Sequence, residues 1–158
     1  MLKINKKVEY ALMVLKYIVD KKAEKTNSNE TLTTAREVCE KFNIPFDTTA
    51  KVMQVMNTAG ILDSTKGVKG GYFLKADLNN ISYLELSELI EGKKFAMDCV
   101  KMKCSLIDTC NITTPVNRLN QYLTLFFQDL SLKDLLIENN LIDIKNLISK
   151  KETQHEFN

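Results

Sequence analysis

The chain has 158 residues, of which 44% are hydrophobic and 27% charged, with four cysteines, one histidine and a formal net charge of +2. These proportions suit one globular domain, or a small domain with an appendage. No apolar run approaches the ~20 residues that span a bilayer, and Met1-Leu-Lys-Ile-Asn-Lys-Lys lacks the apolar stretch of a secretion signal, so the expectation is a cytoplasmic protein without membrane contact.

The charge is unevenly placed. Residues 1–76 hold 13 Lys and Arg against 8 Asp and Glu, a net +5, whereas residues 77–158 hold 9 against 12, a net −3. A basic front half suits a nucleic-acid surface, and the rear half suits regulation or association. Val8, Ala11, Leu12, Leu15, Ile18 and Val19 recur at helical spacing and predict an amphipathic helix over 6–22, capped by Asn5. Glu9 sits near its start, where the helix dipole favours a carboxylate. Residues 23–32 read as a polar loop. Thr34-Ala-Arg-Glu37 is a capping box opening a second helix with Ala35, Val38, Cys39 and Phe42 on its apolar face. Cys39 there reads as a small core residue.

After Ile44-Pro45 a third helix is expected at about 47–59, with Asp47 or Thr48 as cap and Val52, Met53 and Met56 inward. Two short helices joined by a tight turn make a helix-turn-helix, whose second helix enters the major groove by its N-terminal turn. Thr48, Thr49 and Lys51 are therefore the candidate base and phosphate contacts. Ile61 to Thr65 and Tyr72 to Leu74 read as two strands around the turn Lys66-Gly67-Val68-Lys69-Gly70-Gly71, a wing. Lys66 and Lys69 are placed to meet phosphate, and Gly67, Gly70 and Gly71 to let backbone approach a partner.

A further helix starts at Ser82 or Tyr83 and stops at Gly92. The segment Cys99-Val-Lys-Met-Lys-Cys104-Ser-Leu-Ile-Asp-Thr-Cys110 follows. Its interleaved polar residues exclude a core strand and point to an exposed loop. Three thiols in a short loop suit an iron–sulfur cluster or a zinc ion, and direct oxidation of the thiols is the metal-free reading. Pro115 then opens a long helix, about 115–129, with Val116, Leu119, Leu123, Phe126, Phe127 and Leu130 in a wide stripe. The stripe is wider than a small winged domain needs, which favours a second subunit over the chain's own core. Ser131 begins another short helix, Ile142 to Ile148 read as one more, and residues 151–158, with His155, form a tail.

The expected architecture is mainly α. A winged helix-turn-helix domain with a small β-hairpin wing occupies 1–78, and a connecting helix 79–92. The cysteine loop spans 93–114, a dimerisation helix with C-terminal helices 115–150, and the flexible tail 151–158. No P-loop, dinucleotide fingerprint or nucleophile–base pairing occurs, so no enzyme is expected.

In this order the residues resemble the Rrf-type family of bacterial transcriptional regulators, which includes iron–sulfur and nitric-oxide-sensing members. The carrying stretches are Glu9-Tyr10-Ala11-Leu12, Ile44-Pro45, Ala59-Gly60-Ile61-Leu62, Lys66-Gly67-Val68-Lys69-Gly70-Gly71-Tyr72 and the three-cysteine loop. The resemblance implies a homodimeric repressor on double-stranded operator DNA. It also implies a 2Fe-2S or 4Fe-4S cluster on Cys99, Cys104 and Cys110, sensing nitric oxide, redox state or iron–sulfur status. Two departures stand out. The family's aromatic-Leu-Glu run is replaced by Thr48, Thr49 and Ala50. Thr113 stands where the iron regulator has a histidine, and Glu9 matches the carboxylate that serves some relatives as fourth ligand, across the dimer.

Overall fold

The computed structural model describes residues 4–24, 32–95, 104–106 and 109–137. Cys99, the helix expected at 142–148 and the tail at 151–158 lie outside them.

Helix α1 (Lys6–Glu24) buries Val8, Ala11, Val14, Leu15 and Ile18 along one stripe. Asn5 opens it, its side-chain oxygen accepting the Lys7 N–H at 2.9 Å. Helix α2 (Ala35–Phe42) carries both halves of the capping box between Thr34 and Glu37. The same Glu37 carboxylate accepts from the Tyr17 hydroxyl at 2.8 Å and from Lys21, whose ammonium also donates to the Leu32 carbonyl at 2.9 Å. One acid thus fastens the start of α2 to α1. Helix α3 (Phe46–Thr58) starts one residue earlier than expected. Neither Asp47 nor Thr48 caps it: Pro45 occupies the cap position without a side-chain bond. The ring already holds Pro45 at φ −63°, so the chain enters the helix with little further ordering.

Strands β1 (Leu62–Thr65) and β2 (Gly71–Leu74) pair antiparallel from Leu62–Leu74 to Thr65–Gly71. A third strand position joins them. Thr33 and Tyr72 exchange two backbone hydrogen bonds, both 2.8 Å. Thr33, the residue after the segment read as loop, therefore lies at the root of the wing.

After a single 3-10 turn at Leu78–Asn80, α4 (Tyr83–Glu91) opens with a second capping box, Ser82 with Glu85. Helix α5 (Thr113–Asp129) begins two residues ahead of Pro115, and α6 (Leu132–Leu136) is capped by Ser131. Tyr83 donates its N–H to the Leu130 carbonyl and Leu132 donates its own to Ile81, each at 2.8 Å. These two bonds stitch the start of α4 to the start of α6. One core, with Leu15, Val38, Met53, Met56, Leu62, Leu86 and Leu132 in it, runs through α1, α2, α3, β1, α4 and α6. The boundary expected at residue 78 falls inside that core.

Among the described residues helix α5 joins this core only through its C-terminal half, where Leu123 and Phe126 flank Phe127. Of its seventeen residues only Phe127 is buried. The Phe127 ring lies 4.8 Å from Tyr83 and 5.0 Å from Phe95. Phe95 is in turn held by Glu88, which accepts its N–H at 3.0 Å. The expected stripe divides here. Phe127 and Leu130 are buried within the chain, whereas Leu119 is 55% exposed; Tyr122, outside the expected stripe, is 66% exposed.

Candidate functional site

Three surfaces expected from the sequence can be placed: α3, the wing and the described part of the cysteine loop. Helix α3 turns Thr49, Val52, Met53 and Met56 inward. Thr49 was expected to meet DNA, and the structure corrects this. It is fully buried, and its hydroxyl donates to the Pro45 carbonyl at 2.8 Å. Thr48 is half-buried and Lys51 exposed. The exposed line of the helix opposite its buried face is Asp47, Lys51, Gln54 and Thr58. Of these, Lys51 was expected at the DNA surface and Asp47 as the helix cap. The available signal was helical phase, since all four lie opposite Val52, Met53 and Met56.

In the wing turn, Lys66, Gly67, Val68 and Lys69 are exposed. Among the described residues neither lysine is held in an ion pair, whereas Lys75 at the wing's base bonds Asp63 at 3.2 Å. Gly67 has φ +117°, which only glycine adopts without strain. Gly70 and Gly71 answer to the chain's own backbone. A Cβ on Gly70 would stand 2.2 Å from the Thr65 carbonyl oxygen, and one on Gly71 3.1 Å from that of Thr33. They close the wing and seat it against residues 32–33, so their shape role needs no partner.

Cys104 is exposed, Cys110 half-buried, and both thiols are free. Cys39 is a free thiol buried in the core, as expected. The Thr113 hydroxyl donates to the Cys110 carbonyl at 3.4 Å, and the Thr113 and then the Ile112 polar groups beside the thiol hold Cys110 below the usual thiol range. That favours the thiolate, the form that binds metal. Glu9 lies in the first turn of α1, its side chain 35% exposed and paired with Lys6. Within one chain Glu9, Cys104 and Cys110 are not brought together, and among the described residues no three His, Cys, Asp or Glu side chains form a metal-binding group. Two accessible thiols in a loop that the sequence supplies with a third still fit the donor chemistry of an iron–sulfur cluster.

The family described as Rrf2, iron-dependent transcriptional regulator, matches residues 4–138. The chain belongs to the Rrf2 family. An Aquifex aeolicus (strain VF5) protein assigned as an HTH-type transcriptional regulator is 28% identical over 134 residues, covering 82% of this chain and 88% of its own. Among solved structures, CymR, the global cysteine regulator of B. subtilis, superposes with a TM-score of 0.65 at 19% identity, covering 86% of this chain and 97% of its own. IscR of T. potens superposes with a TM-score of 0.59 at 17% identity, covering 85% and 86%. At these identities the two structures establish the fold, a mainly helical winged helix. Rrf2 proteins are DNA-binding regulators of transcription and not enzymes, and this chain is a transcriptional regulator of that family. Among the described residues no helix is long and apolar enough to cross a membrane.

Proposed function

We propose that this Rrf2 protein is a homodimeric repressor of operator DNA, controlled through an iron–sulfur cluster on Cys99, Cys104 and Cys110 that responds to nitric oxide or redox state. The observation that carries this reading is the order of parts along one chain. A basic head with α3 and the wing is followed by a loop of free thiols. The loop leads directly into α5, a helix whose outer face has no partner among the described residues. Among the described residues the intrachain packing of this helix is confined to its C-terminal half around Phe127, and helices of that length are marginal alone. A second copy packing on Leu119 and Tyr122 supplies what is missing.

The chain's residues divide the work. Lys51, Lys66 and Lys69 supply charge to the duplex, and Thr48 flanks the major-groove face. Cys104 and Cys110 bind as thiolates, the latter aided by Thr113 and Ile112. Glu9 of the partner subunit completes the set from the start of α1, releasing Lys6 as it does so. When bound, the cluster supplies iron–ligand bonds that nitric oxide or oxidants break. Tying the loop of one subunit to α1 of the other fixes the spacing of the two heads, and a two-fold dimer reads its half-sites only at fixed spacing.

A cluster-free reading has one observation in its favour: an accessible Cys104 close in sequence to a Cys110 held towards thiolate, a pairing suited to direct oxidation. A visible absorption spectrum with iron and sulfide counts on anaerobically purified protein decides between them. The expected result is a chromophore that Cys104→Ala abolishes, with operator affinity changed at least about tenfold. Glu9→Ala should leave a chromophore that forms and decays faster. Colourless, iron-free wild-type protein whose DNA binding follows thiol oxidation would replace the cluster by the thiols. A wild-type spectrum and stability in Glu9→Ala would assign the fourth position to another group.

A further inference from the structure

The exposed line of α3 has a chemistry of its own. Asp47, Lys51, Gln54 and Thr58 lie opposite the buried Thr49, Val52, Met53 and Met56. Thr58 spends its hydroxyl on the Gln54 carbonyl at 3.0 Å. Among the described residues the side chains of Asp47, Lys51 and Gln54 make no hydrogen bond or ion pair, although each is built to make them. They also stand on the same head as the wing, with its two unpaired lysines.

The geometry points to Asp47, Lys51 and Gln54 as the base-reading residues of this regulator, with Gln54 selecting adenine. The inference deepens the DNA-binding reading above and rests on it. A glutamine carboxamide offers one acceptor and one donor side by side, matching the N6 amino group and N7 of adenine in the major groove. The Lys51 ammonium donates to guanine O6 or N7, and the Asp47 carboxylate accepts from the N4 amino group of cytosine. A carboxylate facing phosphates is repelled, so Asp47 is favourable on this surface only where it meets an amino group.

Spacing agrees with this assignment. Asp47 and Gln54 are seven residues apart, about 10.5 Å along a helix rising 1.5 Å per residue. That is about three base-pair steps of ~3.4 Å. The acid, the amine and the amide thus fall over neighbouring base pairs of one half-site. Thr49 takes no part because its hydroxyl is already used inside the head.

The test is selection of preferred duplexes from a randomised pool, with the full-length chain as wild type, Gln54→Ala, Asp47→Asn and Lys66→Ala. Wild type should show an A·T pair at one position of each half-site. Gln54→Ala should flatten discrimination there by about tenfold, leaving the other positions and the salt slope as they were. Asp47→Asn should relax a C·G preference about two to three base pairs away. Lys66→Ala should weaken every sequence alike. All three substituted residues are exposed, so thermal melting should not change. A wild type with a clear preference that Gln54→Ala and Asp47→Asn both leave unaltered overturns the assignment alone. A wild type that prefers no duplex overturns it together with the DNA-binding reading.

Discussion

Phe127 and Leu119 lie on the same helix and within one apolar stripe, yet substituting them should have opposite consequences. Phe127 is 8% exposed and meets three aromatic rings, at 4.8, 5.0 and 5.5 Å. Truncating a buried Phe to Ala costs about 3–5 kcal/mol through lost transfer energy and the cavity left behind. The three ring contacts place Phe127→Ala at the upper end of that range. For a chain of this size each kcal/mol lowers Tm by about 2–4 °C, so Phe127→Ala should melt about 10–20 °C below wild type. Leu119 and Tyr122 are 55% and 66% exposed within the chain. Replacing both with Asp should leave the fold of an isolated chain intact, but place unpaired charge in any α5–α5 contact. Sedimentation at micromolar concentration should then show a dimer for wild type and a folded monomer for Leu119→Asp/Tyr122→Asp. The dependence of Tm on protein concentration should vanish in that double variant. The reasoning is refuted if Phe127→Ala melts within 2–3 °C of wild type, or if the double variant sediments as a stable dimer.

Lys66→Ala and Lys69→Ala should each reduce the slope of log affinity against log salt by about one unit without changing the preferred sequence, and an unchanged slope in both would remove the wing from the DNA surface. Gly70→Ala should disrupt the wing, because its Cβ would stand 2.2 Å from the Thr65 carbonyl oxygen. Operator affinity should fall at least about tenfold with α-helical circular dichroism unchanged, and wild-type affinity would contradict the close approach. Burial pushes the Glu37 carboxyl up, but hydrogen bonds from Lys21 and Tyr17 outweigh it and hold the group below the ordinary carboxylate range. A depressed folded value contributes stability above the unfolded pKa of about 4.3 that is lost as pH falls through the folded value. Melting temperature should therefore drop below about pH 4.3 more steeply in wild type than in Glu37→Gln, and parallel profiles would deny the carboxylate this part.

Much of the fold was legible because its signals are local and periodic. The stripe of α1, the capping boxes at Thr34 and Ser82, and the glycine-rich turn each announce their element within a few residues. Thr48 and Thr49 show where that ends. Their chemistry is the same, and only the helix phase separates a half-buried hydroxyl from one bonded to Pro45. The third strand position at Thr33 was hidden because a single bridging residue has no period. Helix α5 showed its apolar residues but not their allegiance: Phe127 and Leu119 look alike until Phe95 and Tyr83 are seen around one of them. Cys104 and Cys110 were recognisable by residue type and spacing. The depression of the Cys110 thiol depends on where the Ile112 and Thr113 donors point, which spacing does not encode.

The joint between Thr33 and Tyr72 makes the wing a load-bearing part. Gly71 leaves no slack there, so a displacement of the wing is felt at residues 32–33 and, one residue later, at the cap of α2. Glu37 connects that cap to Lys21 and Tyr17, and so to α1. The wing's root is in this way joined to the helix that bears Glu9 near its other end, about 12 residues or 18 Å away.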